Sequence, residues 1–361
     1  MCGYSNEIAL IEAGRGPGGR MATRRRRDDP VWRLDHGAPG FMMSTEPSKG
    51  VEELLAPLKA SGTLKREQRS VLLMDEEGRI QTEAHDGSTR TDWWRGTPCM
   101  ASICEQMLEA NSHQLHLNYG TRIRTIERDG EMWKLKDEPN ERQIVSRKLV
   151  LSGTLLAHPR SLAMLGWSQV PLRQAVAKGQ DADLDEALEH LAESKSDIRW
   201  NWMVDLGTCP EMERPLPRQI LLTKDAQVRW QVERLVLHEQ DDGRIGLVVH
   251  GMDPGHTITP DTQPRLMAEQ ERRLSAVLPK LLRAYPALLQ ELNNAKSLGM
   301  MRWGAAQPLD HPLPSRLQWC NQSQIGFCGD WIEGDRFGTA EASLSSAVNL
   351  AKLIADQNDN K

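Results

Sequence analysis

The chain has 361 residues, a formal net charge of −5, 39% hydrophobic and 26% charged residues. That length exceeds what one hydrophobic core usually fills, so two domains are expected. The mild acidity gives no electrostatic footprint for nucleic acid, and no apolar run reaches the ~18 residues of a membrane-spanning helix.

Ile8 to Ala13 (IALIEA) is a short apolar run that ends at an acid and a glycine-rich turn, the pattern of a buried parallel strand. Thr97 to Ala110 carries apolar residues at helical spacing. His113 to Ile126 alternates as one or two strands, and Asp129-Gly130 turns it into Glu131–Lys136 as a hairpin. Lys148 to Ser152 is another short buried strand, and Asp181 to Ser196 an acidic amphipathic helix. Gln219 to Leu222, Val228 to Leu237 and Ile245 to His250 suggest an antiparallel sheet. Arg265 to Leu292 reads as one or two helices broken at Pro279 and Pro286. Ile325 to Cys328 is a strand. The last helix places Ala340, Leu344, Ala347, Val348, Ala351 and Ile354 on one face.

The two ends therefore read as one α/β domain and the strand-rich middle as a second. The expected boundaries put 1–60, 98–165 and 297–361 in the first, and 61–97 and 166–296 in the second. The N-terminus lacks a secretory pattern, so a cytoplasmic location is expected. Six cysteines at non-ligand spacings read as reduced thiols, with no metal site.

Five stretches carry chemistry. Glu12 stands where an acid at a strand end can accept from a ribose diol. Arg15-Gly16-Pro17-Gly18-Gly19-Arg20-Met21 sets glycines between two arginines, which suits an anion or a plain tight turn. Arg24 to Arg27 is either a solvated loop or a phosphate-steering patch. Leu34-Asp35-His36-Gly37-Ala38 sets two small residues where a backbone can lie against a flat ring, or merely turns. Near the C-terminus, Asp330 can accept from a hydroxyl, and the helix starting near Ala340 presents a positive N-terminus to developing negative charge.

The runs GRGPGGRMATRR and LDHGA, with WRGTPCM, YGTRIRTIERDG, FCGDW and the Arg302-Trp303 pair, resemble renalase-like proteins of the flavin amine oxidase superfamily. The matches cover about half the chain, at both ends and around residues 94–160. The resemblance implies a Rossmann-like FAD-binding domain beside an α+β substrate domain built on an antiparallel sheet. It implies non-covalent FAD held by Glu12, Ala13, Arg15, Gly18, Gly19, Arg20, Met21, His36, Gly37, Ala38, Ile123, Gly329, Asp330, Gly338, Thr339 and Ala340. His36, Trp303 and Trp331 are expected near the flavin ring. The implied reaction is hydride transfer to flavin from a small nitrogen-bearing substrate, an amine or a dihydronicotinamide isomer (with NAD(P)H itself considered), and oxygen as acceptor.

The sequence departs from that pattern in three places. Nothing upstream of Ile8 supplies the family's opening strand and G-x-G-x-x-G turn. Either the start lies further upstream, the preferred expectation, or the chain is a degenerate, non-enzymatic relative that does not hold FAD. Without that strand the parallel sheet should show two open edges or be rearranged. Pro39-Gly40 and Ser346 also replace the residues usual there. The oligomeric state is not encoded legibly.

Overall fold

The computed structural model describes residues 7–29, 31–81, 93–139, 142–210 and 216–359. Its largest sheet has seven strands: Lys296–Pro308, Ser196–Thr208, Arg244–Met252, Val232–Glu239, Gln219–Leu222, Val71–Met74 and Ile80–Gln81, in that spatial order. Every pairing is antiparallel except that of Gln219–Leu222 with Val71–Met74. The strand period of two sorts this sheet into two faces. Trp200, Trp202, Val204, Leu235, Leu237, Leu247 and Val249 join the large core beneath the Gln263–Leu281 and Pro286–Glu291 helices. Met203, Val236 and Val248 point the other way, onto Trp32 and Leu34 of the N-terminal segment.

The α/β region holds short parallel strands. Ile8–Glu12 pairs in parallel with Leu115–Tyr119, as a two-stranded sheet. Leu149–Leu151 pairs in parallel with Ile325–Phe327, which a hairpin joins to Trp319–Cys320. The two sheets are not hydrogen-bonded to each other, so Ile8–Glu12 and Leu149–Leu151 each have one strand partner among the described residues. They share a core all the same: Ile11 packs against the cluster that contains Leu149, Leu151, Ile325 and Phe327. Ile8, Leu117 and Val150 stay more than 40% exposed, unusual for apolar residues of a parallel sheet. Each of Ile8–Glu12 and Leu149–Leu151 thus has one edge unpaired among the described residues.

A third core lies under the Lys49–Ala60 helix, where Val51, Leu55 and Leu58 meet Phe41, Leu64 and Met100. The strand Trp93–Gly96 joins Phe41–Met42 to Leu64–Arg66 there, across the expected boundaries at 60/61 and 97/98. No helix among the described residues is long and apolar enough to cross a membrane.

Several element readings need correction. The start of the Val228–Leu237 reading is helical. Thr223 caps a helix over Lys224–Trp230, Val228 is 72% exposed on it, and left-handed Gln231 ends it before the strand begins at Val232. Pro279 does not break its helix, which runs on to Leu281, whereas Pro286 opens the next one at a position that needs no N–H donor. His113–Ile126 gives two strands, Leu115–Tyr119 and Ile123–Asp129, and the hairpin about Asp129-Gly130 gains a third strand, Gln143–Ser146. In the last helix, Ala340–Asp359, the deeply buried residues are Glu341, Ala342, Ser346 and Leu350. Ala347 and Ala351 face out, while Ala340, Leu344 and Val348 cover the third core.

Candidate functional site

The loops that follow two of the parallel strands, Ile8–Glu12 and Ile325–Phe327, meet at one place. After Ile8–Glu12 the chain turns through Gly18 (φ 115°) and Gly19 (φ 50°), values that favour glycine, into a short 3-10 turn at Gly19–Met21. The turn aims Arg20 at the end of Ile325–Phe327. There Arg20 Nη1 and Nη2 grip both oxygens of Asp330 at 2.6 Å, and Nη1 also donates to the Ala306 carbonyl at 3.0 Å. This bidentate pair fixes the geometry of the junction. The Glu12 carboxylate accepts from the Gly14 N–H at 2.5 Å. Each carboxylate keeps lone pairs for a further donor. Ala13 and Arg15 lie exposed in the same loop, and Arg15 forms no hydrogen bond or ion pair among the described residues. Ile123 opens its strand half-buried against the core shared by the parallel strands.

The LDHGA stretch lies directly against this turn. A side chain at Gly37 would bring its Cβ within 1.9 Å of the Arg20 carbonyl oxygen, and Ala38 N donates to that same oxygen at 2.8 Å. Close packing of two chain segments therefore requires the glycine. Asp35 is structural. Its carboxylate accepts from Thr23 Oγ1 (2.6 Å), Met100 N (3.0 Å) and the buried Arg218 Nη2 (3.1 Å). Arg218 in turn donates to Pro39 O and lies 3.6 Å from Glu67. One buried arginine thus ties the N-terminal segment to the large sheet.

His36 faces that sheet. Its ring stacks on Trp303, centroids 5.5 Å apart and planes 12° from parallel. Its carbonyl accepts from Asn201 Nδ2 (2.7 Å) and Trp303 Nε1 (3.2 Å). Burial, then the nearby Arg24, pull its pKa below the ordinary histidine value, so the ring is neutral at neutral pH. Two of the three expected ring-side residues therefore meet. Trp331 lies apart from them, edge-on to Phe327 in the core of the parallel strands.

A polar row that the sequence reading missed crosses the sheet beside His36. Asn201 is the register partner of His250, and His250 of Arg234, whose Nη1 donates to Gln219 at 3.2 Å. These residues share the face that carries Met203, Val236 and Val248, because each is two positions away along its strand. Asn201 Oδ1, His250 Nε2, Arg234 Nε and His36 Nδ1 are buried without a hydrogen-bond partner. Buried polar atoms are normally paired, so this row holds hydrogen-bonding capacity that the described residues do not use. The row's acid is already engaged. Burial alone would raise the Glu233 pKa, but Arg234, His250 and Arg199 hold it down at about 2. His250 is held at about 3 by burial and then by Arg234, so it too is neutral.

At the C-terminal end, Gly329 (φ 147°) lies where a Cβ would sit 2.3 Å from Trp331 Nε1. Ser346 Oγ bridges Gly329, accepting from its N–H at 2.9 Å and donating to its carbonyl at 3.0 Å. The Ser346 hydroxyl thus satisfies the strand end. Gly338 N donates to the Asp330 carbonyl at 2.8 Å, and Thr339 caps the final helix by accepting from Ala342 N. Glu341, in the first turn, accepts from Ser44 N and Oγ and pairs with Arg336 at 3.1 Å. Burial pushes the Cys328 thiol up to about 11, so it is a poor nucleophile at neutral pH. In the arginine run, Arg25 pairs with Glu105 and Arg26 with Asp28.

FAD, the group the resemblance implies, meets suitable chemistry at both ends. The glycine turn with unpaired Arg15 suits phosphate, and the unpartnered atoms about His36 suit a polar ring and its substrate.

No protein-family model matches the chain, and no curated protein matches it. Solved structures do. Cyclohexylamine oxidase from Brevibacterium oxydans superposes with a TM-score of 0.60 at 12% identity, over 99% of this chain and 95% of that one. Putrescine oxidase bound to putrescine gives 0.55 at 12% identity, over 99% of both chains. A flavoprotein/dehydrogenase from Cytophaga hutchinsonii gives 0.51 at 11% identity, over all of this chain and 74% of that one. The likeness is one of fold: the chain has the mixed α/β architecture, with a large, mainly antiparallel sheet, of flavin-dependent oxidoreductases.

Proposed function

We propose that this chain is an FAD-dependent oxidoreductase that removes a hydride from a small, neutral, nitrogen-bearing substrate. The observation that carries the proposal is the set of buried, unpartnered atoms on His36, Asn201, His250 and Arg234, beside the junction of the strand-end loops. When bound, FAD supplies the hydride-accepting chemistry, with oxygen as the proposed terminal acceptor. The chain's own groups bind and orient. Arg15 and the Gly18–Gly19 turn would hold the phosphates. Asp330 and Glu12 would accept hydrogen bonds from hydroxyls, and the capped start of the last helix would favour negative charge nearby.

The charge of the substrate wall narrows the substrate class. His36 and His250 are neutral, and the nearby carboxylate of Glu233 is already paired with Arg199 and Arg234. The wall therefore offers no free anion to a diammonium substrate. Asn201 Oδ1 can accept from an amide N–H, and Arg234 Nε can donate to a carbonyl or carboxylate. A reduced ring bearing a carboxamide, such as a dihydronicotinamide isomer, fits better than a simple diamine. Neutral His36 can hydrogen-bond such a ring or take up a proton at Nδ1.

Anaerobic mixing of the flavin-loaded protein with isomeric dihydronicotinamides and with primary amines tests this reading. Rapid loss of the oxidised flavin band with the former, peroxide on admitting air, and a slower loss in His36→Ala are expected. Bleaching by diamines alone would reverse the substrate assignment, and bleaching by neither class would contradict the activity. A second reading, a non-enzymatic relative that does not hold FAD, draws its support from the division of the parallel strands into two sheets.

A further inference from the structure

The strand Trp93–Gly96 lies between Phe41–Met42 and Leu64–Arg66. Trp94 has Phe41 as its register partner on one side and Arg66 on the other. Directly paired residues share a face of the sheet, so the Trp94 and Arg66 side chains are neighbours. Trp94 packs against the third core and stays half-buried. The Lys49–Ala60 helix covers that core with Val51, Leu55 and Leu58. Glu52 and Lys59 are two turns apart on the helix and so share one side of it. There Lys59 Nζ donates to both Glu52 oxygens, at 3.0 and 2.7 Å.

Helix and sheet enclose a cavity of about 350 Å³, whose lining includes Met43, Thr45, Glu52, Lys59, Arg66 and Trp94. Two cations lie over the Trp94 ring: Lys59 Nζ is 5.1 Å from its centroid and Arg66 Cζ 5.4 Å. Against these two stands one lining carboxylate, Glu52, and it is engaged by Lys59. Arg66 forms no hydrogen bond or ion pair among the described residues. Its attraction to the indole uses the ring's electrons and leaves the N–H donors free. Lys59 has three ammonium protons, of which Glu52 takes two. The Thr45 hydroxyl, exposed at the rim, is also free of hydrogen bonds among the described residues. The cavity therefore offers one excess positive charge, a guanidinium fork and a hydroxyl, beside an apolar wall of Trp94 and Met43.

We propose that this cavity is a second ligand site, for a small ring-bearing monocarboxylate whose carboxylate meets Arg66 and Lys59 and whose ring lies against Trp94 and Met43. A guanidinium fork matches a carboxylate in shape as well as charge. One excess cation matches one negative charge, and the volume, near the lower end for small-molecule pockets, limits the body to about one ring. None of the lining residues belongs to the strand-end junction or to the polar row beside His36. The site is thus separate from the one assigned to FAD and does not rest on that reading.

Isothermal titration calorimetry of the purified full chain with phenylacetate, phenylacetamide and acetate tests it. Phenylacetate should bind the wild type roughly 10-fold more tightly than its neutral amide, and more tightly than acetate, which lacks the ring. Arg66→Gln should remove most of the preference for the acid, and Arg66→Lys should restore part of it. Glu52→Gln, which raises the positive charge of the cavity, should tighten phenylacetate binding. The thermal midpoint of ligand-free Arg66→Gln should match the wild type, because Arg66 is exposed and donates no hydrogen bond among the described residues. Equal affinity for acid and amide would overturn the proposal, as would the absence of phenylacetate binding at millimolar concentration. Phenylacetate affinity that survives Arg66→Gln would also overturn it, by placing the ligand elsewhere. Inorganic phosphate that binds as tightly as phenylacetate would overturn the ring-bearing class. Each of these outcomes leaves the FAD reading where it stands.

Discussion

His36 and His250 show how burial sets the charge of this site. Both are neutral for the same reason: little water reaches them, and arginines stand nearby. For His250 the consequence is measurable. Its pKa falls from an unfolded value near 6.5 to about 3 on folding. Between those values the unfolded chain binds a proton that the folded chain does not, so stability declines as pH falls through that window. The share from one residue is about 1.4 kcal/mol per pH unit. Urea unfolding of the wild type and His250→Gln between about pH 7 and pH 5 should therefore show a shallower pH slope in the variant, by close to one proton. An identical slope would mean that His250 is not held neutral by the fold. His36 could be singled out in the sequence because a histidine followed by two small residues is a local signal. Asn201, His250 and Arg234 were not, because what unites them is register across three strands, and no spacing in the chain reports it.

The same limit governs the elements. Strands such as Ile8–Glu12 and Ile325–Phe327 could be read because short apolar runs that end in glycine turns are local patterns. The Lys224–Trp230 helix was misread because Val228 is apolar but faces solvent, and the Thr223 cap that decides the matter is a single hydroxyl. The last helix was rotated in the reading because two of its most buried residues are polar. Glu341 and Ser346 are inside because Ser44, Arg336 and Gly329 receive them. Ser346→Gly should destabilise the protein. It leaves the buried N–H of Gly329 without its partner and adds a glycine to a helix, for a loss of about 1–3 kcal/mol in a chemical denaturation experiment. Stability equal to the wild type would show that the hydroxyl bridge carries no weight.

At the scale of the whole molecule, two features pull in opposite directions. Arg218, buried between Asp35, Glu67 and the Pro39 carbonyl, and Arg20, gripping Asp330, hold the N-terminal segment against both the large sheet and the C-terminal strand. A buried cation of this kind is costly to leave unpaired, so the junction is specified tightly. Against that, the parallel strands form two sheets, with one partner each for Ile8–Glu12 and Leu149–Leu151. The sequence could not show that Arg20 and Asp330 meet in a charged junction across the divide. Purification of this chain with excess FAD, followed by desalting and a visible absorbance spectrum, asks whether that junction suffices. The account predicts a flavin band that stays with the folded protein in near-equal amount. Folded protein that emerges colourless would contradict it and leave the non-enzymatic reading in its place.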